Sequence, residues 1–271
     1  PFLLQIINGL TTLVRKHDLR LIIDTIMDGA GGGAILNLTQ TKSIDGLVLF
    51  ETRQQDEELR TIIEQHFPVV IIGEYPKLDV CSVDVEVSHA ARIAVDHLIE
   101  LGHRKIACIT NAPLIYTAGS GRLKGYRQAL ESAGITYNDA YVRYGEFTPE
   151  SGFEAMKDLL DHVGHEITAV FVASDTVAFG AMRALHLAGC KIPDDIAVMG
   201  YDNIPLAPFH TPPLSSMGIS GSQLGAEAGK LLLELIDGKV QPGVRRLFDA
   251  TLIARESTTG RRDEEENNRI Y

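Results

Sequence analysis

The sequence holds no unbroken apolar run of about 18 residues, the least that reads as a membrane-spanning helix. Cysteine is sparse. Cys81, Cys108 and Cys190 are the only three in the chain, and no two of them form a CxxC pair. That excludes a disulfide framework and reads instead as buried, reduced thiols of a cytosolic protein. None of the nine histidines falls into HxxxH or HExxH, so no metal site is expected. G-x-S-x-G and a cysteine-nucleophile signature are missing too, which removes the common hydrolases. Positive charge is in deficit, with a formal net charge of −11 at pH 7. Such a surface does not by itself attract DNA phosphate or an anionic membrane. Neither a signal peptide nor a methionine opens the chain. It begins PFLLQIINGL, already inside an amphipathic helical pattern, so further residues are expected upstream.

What is present is ordinary globular material: 271 residues, 45% hydrophobic and 23% charged. That is enough for one large or two medium domains. The most informative stretch is 167–202, ITAVFVASDTVAFGAMRALHLAGCKIPDDIAVMGYD. Residues 169–173 are a short β-branched and aromatic run, the pattern of a buried strand. Ser174 and Asp175 follow where a helix N-cap belongs. Val177, Ala181 and Leu185 then repeat at helical spacing until Gly189 ends the helix. After the turn 193–195, residues 196–199 are a second strand. This is a βαβ unit with parallel strands and a right-handed crossover. Its two polar clusters, Ser174-Asp175 and Tyr201-Asp202-Asn203, sit just past strand C-termini, where open α/β sheets bind ligands.

The same syntax runs through the chain. Helices are expected to about residue 16 and over 56–66, 87–101, 122–132, 149–163 and 223–236. Strands are expected at 19–23, 46–50, 69–72, 105–110, 142–145, 214–219 and 247–256. Glycines 102, 134, 189 and 238 close helices that lead towards a strand or another extended run, the punctuation of alternating α/β folds. The chain then reads as two α/β halves joined near 111–117, with further crossings near 213–220 and 243–249. The charged tail 261–271 shows no periodicity and is expected to be disordered.

Several residues carry chemistry. Residues 29–34, GAGGGA, fit G-x-G-x-x-A after a strand, as a dinucleotide site would. Asp45, however, lies beyond a weak helix instead of at the end of the next strand, so a flexible glycine loop is the better reading. Arg122 follows the join between the halves. There an arginine either lies on the surface or offers its planar fork to a hydroxyl pair or carboxylate. On a cleft wall, its removal is expected to leave the fold intact. Phe147, just past a strand end, either packs in a core or stacks on a flat ligand face. Phe147, Ser174, Asp175 and Asp202 all fall on one edge of one sheet.

At this point the motifs resemble those of a known family. Residues 97–107, HLIELGHRKIA, are similar to the HLxxLGHRxIA segment of lactose/galactose-repressor (LacI/GalR) type transcription regulators. Residues 122–126, RLKGY, resemble their RxxGY. Residues 174–181, SDTVAFGA, and 192–202, IPDDIAVMGYD, resemble (N/S)DxxAxGA and IPxDIxVxGxD. Residues 213–216, PLSS, resemble the end of PPLTT. Order and spacing fit over essentially 1–260. The chain departs from the pattern at Glu86-Val87, where Asp-Asn is frequent, at Phe50, and at the triple glycine.

The resemblance implies a periplasmic-binding-protein-like α/β fold of two parallel-sheet subdomains joined by three crossovers. The expected division is 1–112 with 219–243, and 113–218 with 244–260. The first strand and the DNA-binding head lie outside this chain. Carried over position by position, the effector groups are Arg122, Phe147, Ser174, Asp175 and Asp202, with Tyr116 and Ala118 on the crossing loop and Leu4 and Phe50 from the first subdomain. The implied protein is a cytoplasmic, dimeric, ligand-responsive transcription regulator, neither an enzyme nor a cofactor binder. It meets operator DNA only through the missing head. Arg122 and Asp202 suit hydroxyls and Phe147 suits a pyranose face, so a sugar is the expected effector, ahead of a nucleobase-like compound. The alternatives are an extracytoplasmic solute-binding protein and, on the glycine stretch, a nucleotide-using α/β enzyme.

Overall fold

The computed structural model describes residues 1–24, 33–50, 52–54, 56–75 and 78–260. Most of the glycine stretch (29–32) and the tail 261–271 lie outside the described residues. In chain order the elements are α1 (Phe2–Lys16), α2 (Ala34–Gln40), β1 (Leu47–Phe50), α3 (Glu57–Glu64), β2 (Val69–Ile72), β3 (Cys81–Val85) and α4 (Val87–Glu100). Next come β4 (Ile106–Ile109), α5 (Thr117–Ser132), β5 (Val142–Arg143), α6 (Pro149–Val163), β6 (Ala169–Val172), α7 (Asp175–Leu187) and β7 (Ala197–Asp202). The chain closes with β8 (Ser215–Gly218), α8 (Gly221–Ile236), β9 (Arg245–Phe248), β10 (Thr251–Ile253) and α9 (Glu256–Thr259).

The strands sort into two sheets. A four-stranded sheet runs β1-β2-β3-β9, and a six-stranded sheet runs β10-β8-β7-β6-β4-β5. Every pairing is parallel except β10 against β8. Parallel sheets must be covered on both faces, and each lobe does this with helices. In lobe 1, α8 lies on the sheet with α1 packed on α8. Ile35, Leu59 and Ile62 of α2 and α3 meet Val69 and Ile71 on the opposite face. In lobe 2, Leu98, Leu123 and Tyr126 of α4 and α5 cover Cys108, Phe171 and Met199. The other face packs Met156, Leu159, Val177 and Leu185 of α6 and α7 against Ile109, Val170 and Val198. Val85 and Val87 belong to one apolar core with residues of both lobes. All three cysteines are buried free thiols.

The helix stops hold: Gly102, Gly134, Gly189 and Gly238 all adopt positive φ. Other expectations change. Residues 19–23 form no strand, and Leu19, Ile22 and Ile23 are exposed. An apolar run becomes a strand only where a neighbouring strand takes its N–H and C=O groups, and among the described residues no strand pairs with this run. The expected strand 247–256 is two strands in two different sheets, β9 beside β3 and β10 beside β8. β3 carries Ser82 and Asp84, which broke the apolar signal, yet all five of its residues are buried. α5 starts at Thr117 instead of 122, although Gly119 and Gly121 weaken its first turns. Gly119 is needed there, because a Cβ would lie 2.8 Å from the Ala112 carbonyl oxygen.

The subdomain boundaries move as well. β4 bonds to β5 and β6, so 87–112 belongs with the second sheet and not with 1–86. β9 bonds to β3, so 244–248 belongs with the first. The crossings lie between β3 and α4, between β8 and α8, and between β9 and β10. In the first, β3 hands over to α4 with one residue between them, which leaves no loop signal in the sequence.

Candidate functional site

The C-terminal ends of the parallel strands form the facing edges of the lobes. On lobe 2, Arg122 sits in the second turn of α5 and is 9% exposed. Its Nη1 donates to the Ala173 carbonyl. Its Nη2 donates to Asp202 Oδ1 at 3.2 Å, and its guanidinium lies 4.0 Å over the Tyr201 ring. Asp202 is 5% exposed. Burial raises its pKa, while Arg122 and the Ser174 hydroxyl oppose the rise. The backbone turns sharply at the same place: Asp202 and Asn203 adopt φ of 102° and 48°, the first a strained value for a residue with a Cβ, the second one that asparagine tolerates. Ser174 occupies the N-cap position of α7 but makes no capping bond.

Phe147 also has positive φ, 61°. Its N–H donates to the Asn111 carbonyl at 2.8 Å, and its ring meets Tyr116 edge-on at 5.3 Å. It joins none of the three apolar cores, so its core reading is not met. Gly145 permits this loop, since a Cβ there would lie 2.4 Å from the Thr110 carbonyl oxygen. Tyr116 precedes α5, and Ala118, in its first turn, is half-buried.

Asp175 does not belong with the ligand groups. It is fully buried. Its Oδ1 accepts from Ser216 Oγ at 2.7 Å and its Oδ2 from the Ile204 N–H at 2.8 Å. It ties the start of α7 to β8 and to the segment after β7. Burial pushes its pKa up to about 7 and Asp202 adds to the rise, against the bonds from Ser216 and Ile204. Gly200 makes room for it, because a Cβ would stand 2.3 Å from Asp175 Oδ1.

On lobe 1, Phe50 ends β1 with its ring 6.3 Å from Phe2. Leu4, on α1, is 68% exposed and is not enclosed with the others. The lobes are joined at the cleft mouth. Arg53 and Tyr116 form an antiparallel bridge. Gln54 N–H donates to Ile115 O at 2.8 Å and Thr117 N–H to Thr52 O at 3.1 Å. Gln54 Nε2 donates to Leu114 O at 2.9 Å. This is a closed arrangement, zipped between 52–54 and 114–117. Nearer the crossings lies a cavity of about 570 Å³ lined by Gln5, Val85, Asn203, Ile219, Gln223 and Phe248 among others. None of the nine expected site residues lines it, and Asn203 adjoins Asp202 at its edge. The chemistry favours the Arg122–Asp202 pair as the anchor, with the cavity beside it.

Asp84 escaped the sequence reading. It ends up 5% exposed near the C-terminal end of β3. Burial, with help from Glu74, pushes its pKa up to about 7 against the pull of Arg122 and Arg245. Its signal was an acid inside the valine alternation of CSVDVEV.

Comparison with known proteins agrees with this fold. A family model described as a periplasmic binding protein-like domain matches residues 95–258. The chain is 36% identical over 267 residues to the HTH-type transcriptional repressor CytR of Escherichia coli (strain K12), covering 95% of the chain and 76% of CytR. It is 34% identical over 260 residues to the HTH-type transcriptional regulator CelR of Thermobifida fusca, with coverages of 95% and 76%. A CelR–cellobiose complex superposes with a TM-score of 0.89 at 33% identity, over 95% of this chain and 79% of that one. A LacI transcriptional regulator from Bacillus cereus subsp. cytotoxis superposes with a TM-score of 0.90 at 27% identity, over 97% and 93%.

Proposed function

The chain belongs to the LacI/GalR family of transcriptional regulators, and from that premise we propose that it holds a sugar effector between its two lobes. One observation carries the reading: Arg122 and Asp202 are paired at 3.2 Å on the edge that faces lobe 1. A guanidinium and a carboxylate side by side offer donors and an acceptor to vicinal hydroxyls. Phe147 supplies an apolar face, and the cellobiose-bound relative supports the sugar class. Phe50, Tyr116, Ala118 and Ser174 complete the proposed site.

The sugar acts by completing contacts on both lobes at once, which only closure allows. It therefore favours the closed state by its differential affinity. Operator DNA is engaged by a segment outside this chain, in a cytoplasmic homodimer, and the lobe movement reaches that segment. A coupling of about 1–3 kcal/mol changes DNA affinity roughly 5- to 150-fold, and DNA changes sugar affinity reciprocally. An extracytoplasmic solute-binding protein is not favoured, because the relatives matched over most of their length are transcription regulators.

Isothermal titration with cellobiose, ribose and glucose tests the reading. At least one sugar is expected to bind, and Phe147→Ala is expected to weaken it while the apo protein unfolds close to the parent. If the parent takes up none of these sugars, the sugar reading is overturned.

A further inference from the structure

Among the described residues, four buried polar side-chain atoms on the facing edges have no hydrogen-bond partner: Asp84 Oδ2, Asn111 Oδ1, Arg122 Nε and the Tyr201 hydroxyl. They come from both lobes. Asp84 stands on β3 of lobe 1, Asn111 follows β4, Arg122 is on α5, and Tyr201 is on β7 of lobe 2. Arg122 lies on the Tyr201 ring at 4.0 Å. Asp84 is close enough for Arg122 to lower its pKa and for Asp84 itself to raise that of Tyr201. Native proteins leave few buried polar atoms unpaired, and an unpaired group marks a place where something else completes the bond. Here the unpaired atoms come from both lobes, and Asp84 of lobe 1 lies within electrostatic reach of Arg122 and Tyr201 of lobe 2.

We propose that Asp84 is a ligand-binding residue on the lobe 1 wall, and that it selects an uncharged, hydroxyl-rich effector over its phosphorylated or carboxylated counterparts. The inference rests on the sugar reading above and narrows it. The open acceptors are at Asp84 and Asn111, while Arg122 and the Tyr201 hydroxyl, close enough to act on each other, add a donor and a two-way group. Hydroxyl groups, each a donor and an acceptor, fit that set. An anion does not. Asp84 has Glu74 beside it, and Asp202 has Asp175 beside it. The cations at hand are already engaged. Arg122 serves Asp202 and the Ala173 carbonyl, and Arg245 reaches Glu74 Oε1 at 3.0 Å. A phosphate or carboxylate entering here meets carboxylates and finds no uncommitted guanidinium among these groups.

Titration at pH 8, above the pKa of Asp84, of the parent, Asp84→Asn and Phe147→Ala with cellobiose, ribose and glucose, and with glucose 6-phosphate and glucuronate as anionic counterparts, tests this. The parent is expected to bind a neutral sugar and neither anion. Asp84→Asn is expected to bind that sugar roughly 10- to 100-fold more weakly, the scale of a lost hydrogen bond to a charged group, and to discriminate less against the anions. Its thermal unfolding at pH 8 should occur at or above the parent's temperature, since a buried charge is gone. Parent affinity for an anion equal to that for the neutral sugar overturns the inference. So does unchanged sugar affinity in Asp84→Asn, which leaves Asp84 a structural role only. If Phe147→Ala weakens the sugar while Asp84→Asn does not, the site reading stands and this inference falls. No neutral sugar binding at all removes both.

Discussion

Arg122 holds the Ala173 carbonyl, the Asp202 carboxylate and the face of Tyr201 together. Read from sequence, a cleft-wall arginine looked removable without harm to the fold. Its burial contradicts that. Arg122→Ala leaves Asp202 buried without its partner, and breaking a buried pair costs about 3–5 kcal/mol of stability. Chemical denaturation is expected to register that loss, and Arg122→Ala combined with Asp202→Ala to recover part of it. Phe147 differs, since its ring joins no core. Phe147→Ala should therefore cost well under the roughly 3–5 kcal/mol of a core aromatic truncation.

Asp84 makes a third test at the residue scale. Its folded pKa, about 7, lies above the ordinary carboxylate value of 3.8. The unfolded chain thus releases this proton first, so the stability that Asp84 contributes is full below about 4 and is lost as pH rises through about 7. Glu74, Arg122, Arg245 and Tyr201 are the charged and titratable groups acting with it. Relative to the parent, Asp84→Asn should gain stability between pH 4 and pH 8 and stay flat above. An equal difference at both pH values would mean that the aspartate is not protonated in the folded protein. The positions of Arg122, Phe147, Ser174 and Asp202 near strand ends and helix starts were legible, because strand ends and helix starts leave local signals. The burial of Asp84 and Asp175 was not, because an acid carries no local sign that it faces inward.

Elements closed by glycine were read correctly, because a left-handed residue after a helix is a local event. Misreadings came where pairing partners decide. The run at 19–23 found no strand to bond, and the run at 247–256 breaks at Asp249-Ala250 to serve two sheets. Helix contacts were equally hidden. α6 and α7 approach through Gly152 and Gly180, where a Cβ on Gly180 would stand 1.7 Å from the Pro149 carbonyl oxygen. Backbone cannot yield as a side-chain tip can, so Gly180→Ala must separate the helices. Overpacking of this kind costs typically about 1–3 kcal/mol, and this variant is expected at or above the top of that range in urea titrations. An unchanged midpoint would mean that the pair is looser than described.

For the whole molecule, the architecture of two lobes was legible from alternating α/β syntax and from the family motifs, but the boundary at Glu86 was not. β3 passes into α4 without a loop, so composition does not shift where the chain changes lobe. Closure rests on few bonds. Gln54 spans the mouth with its side chain on Leu114 O and its N–H on Ile115 O. Gln54→Ala keeps the main-chain bonds and removes the side-chain one. X-ray scattering should then show a larger mean radius of gyration than the parent, reversed by a bound sugar. Identical curves would remove this contact from the closing device.

The central claim is that one sugar touches both lobes at the Arg122–Asp202 edge. A crystal structure of the chain with the neutral sugar that titrates it tests this most directly. A sugar is expected between the lobes, with hydroxyls on Arg122 and Asp202, a ring face on Phe147 and a further hydroxyl towards Asp84. A sugar bound on an outer face, or against one lobe alone with the other out of reach, would contradict it.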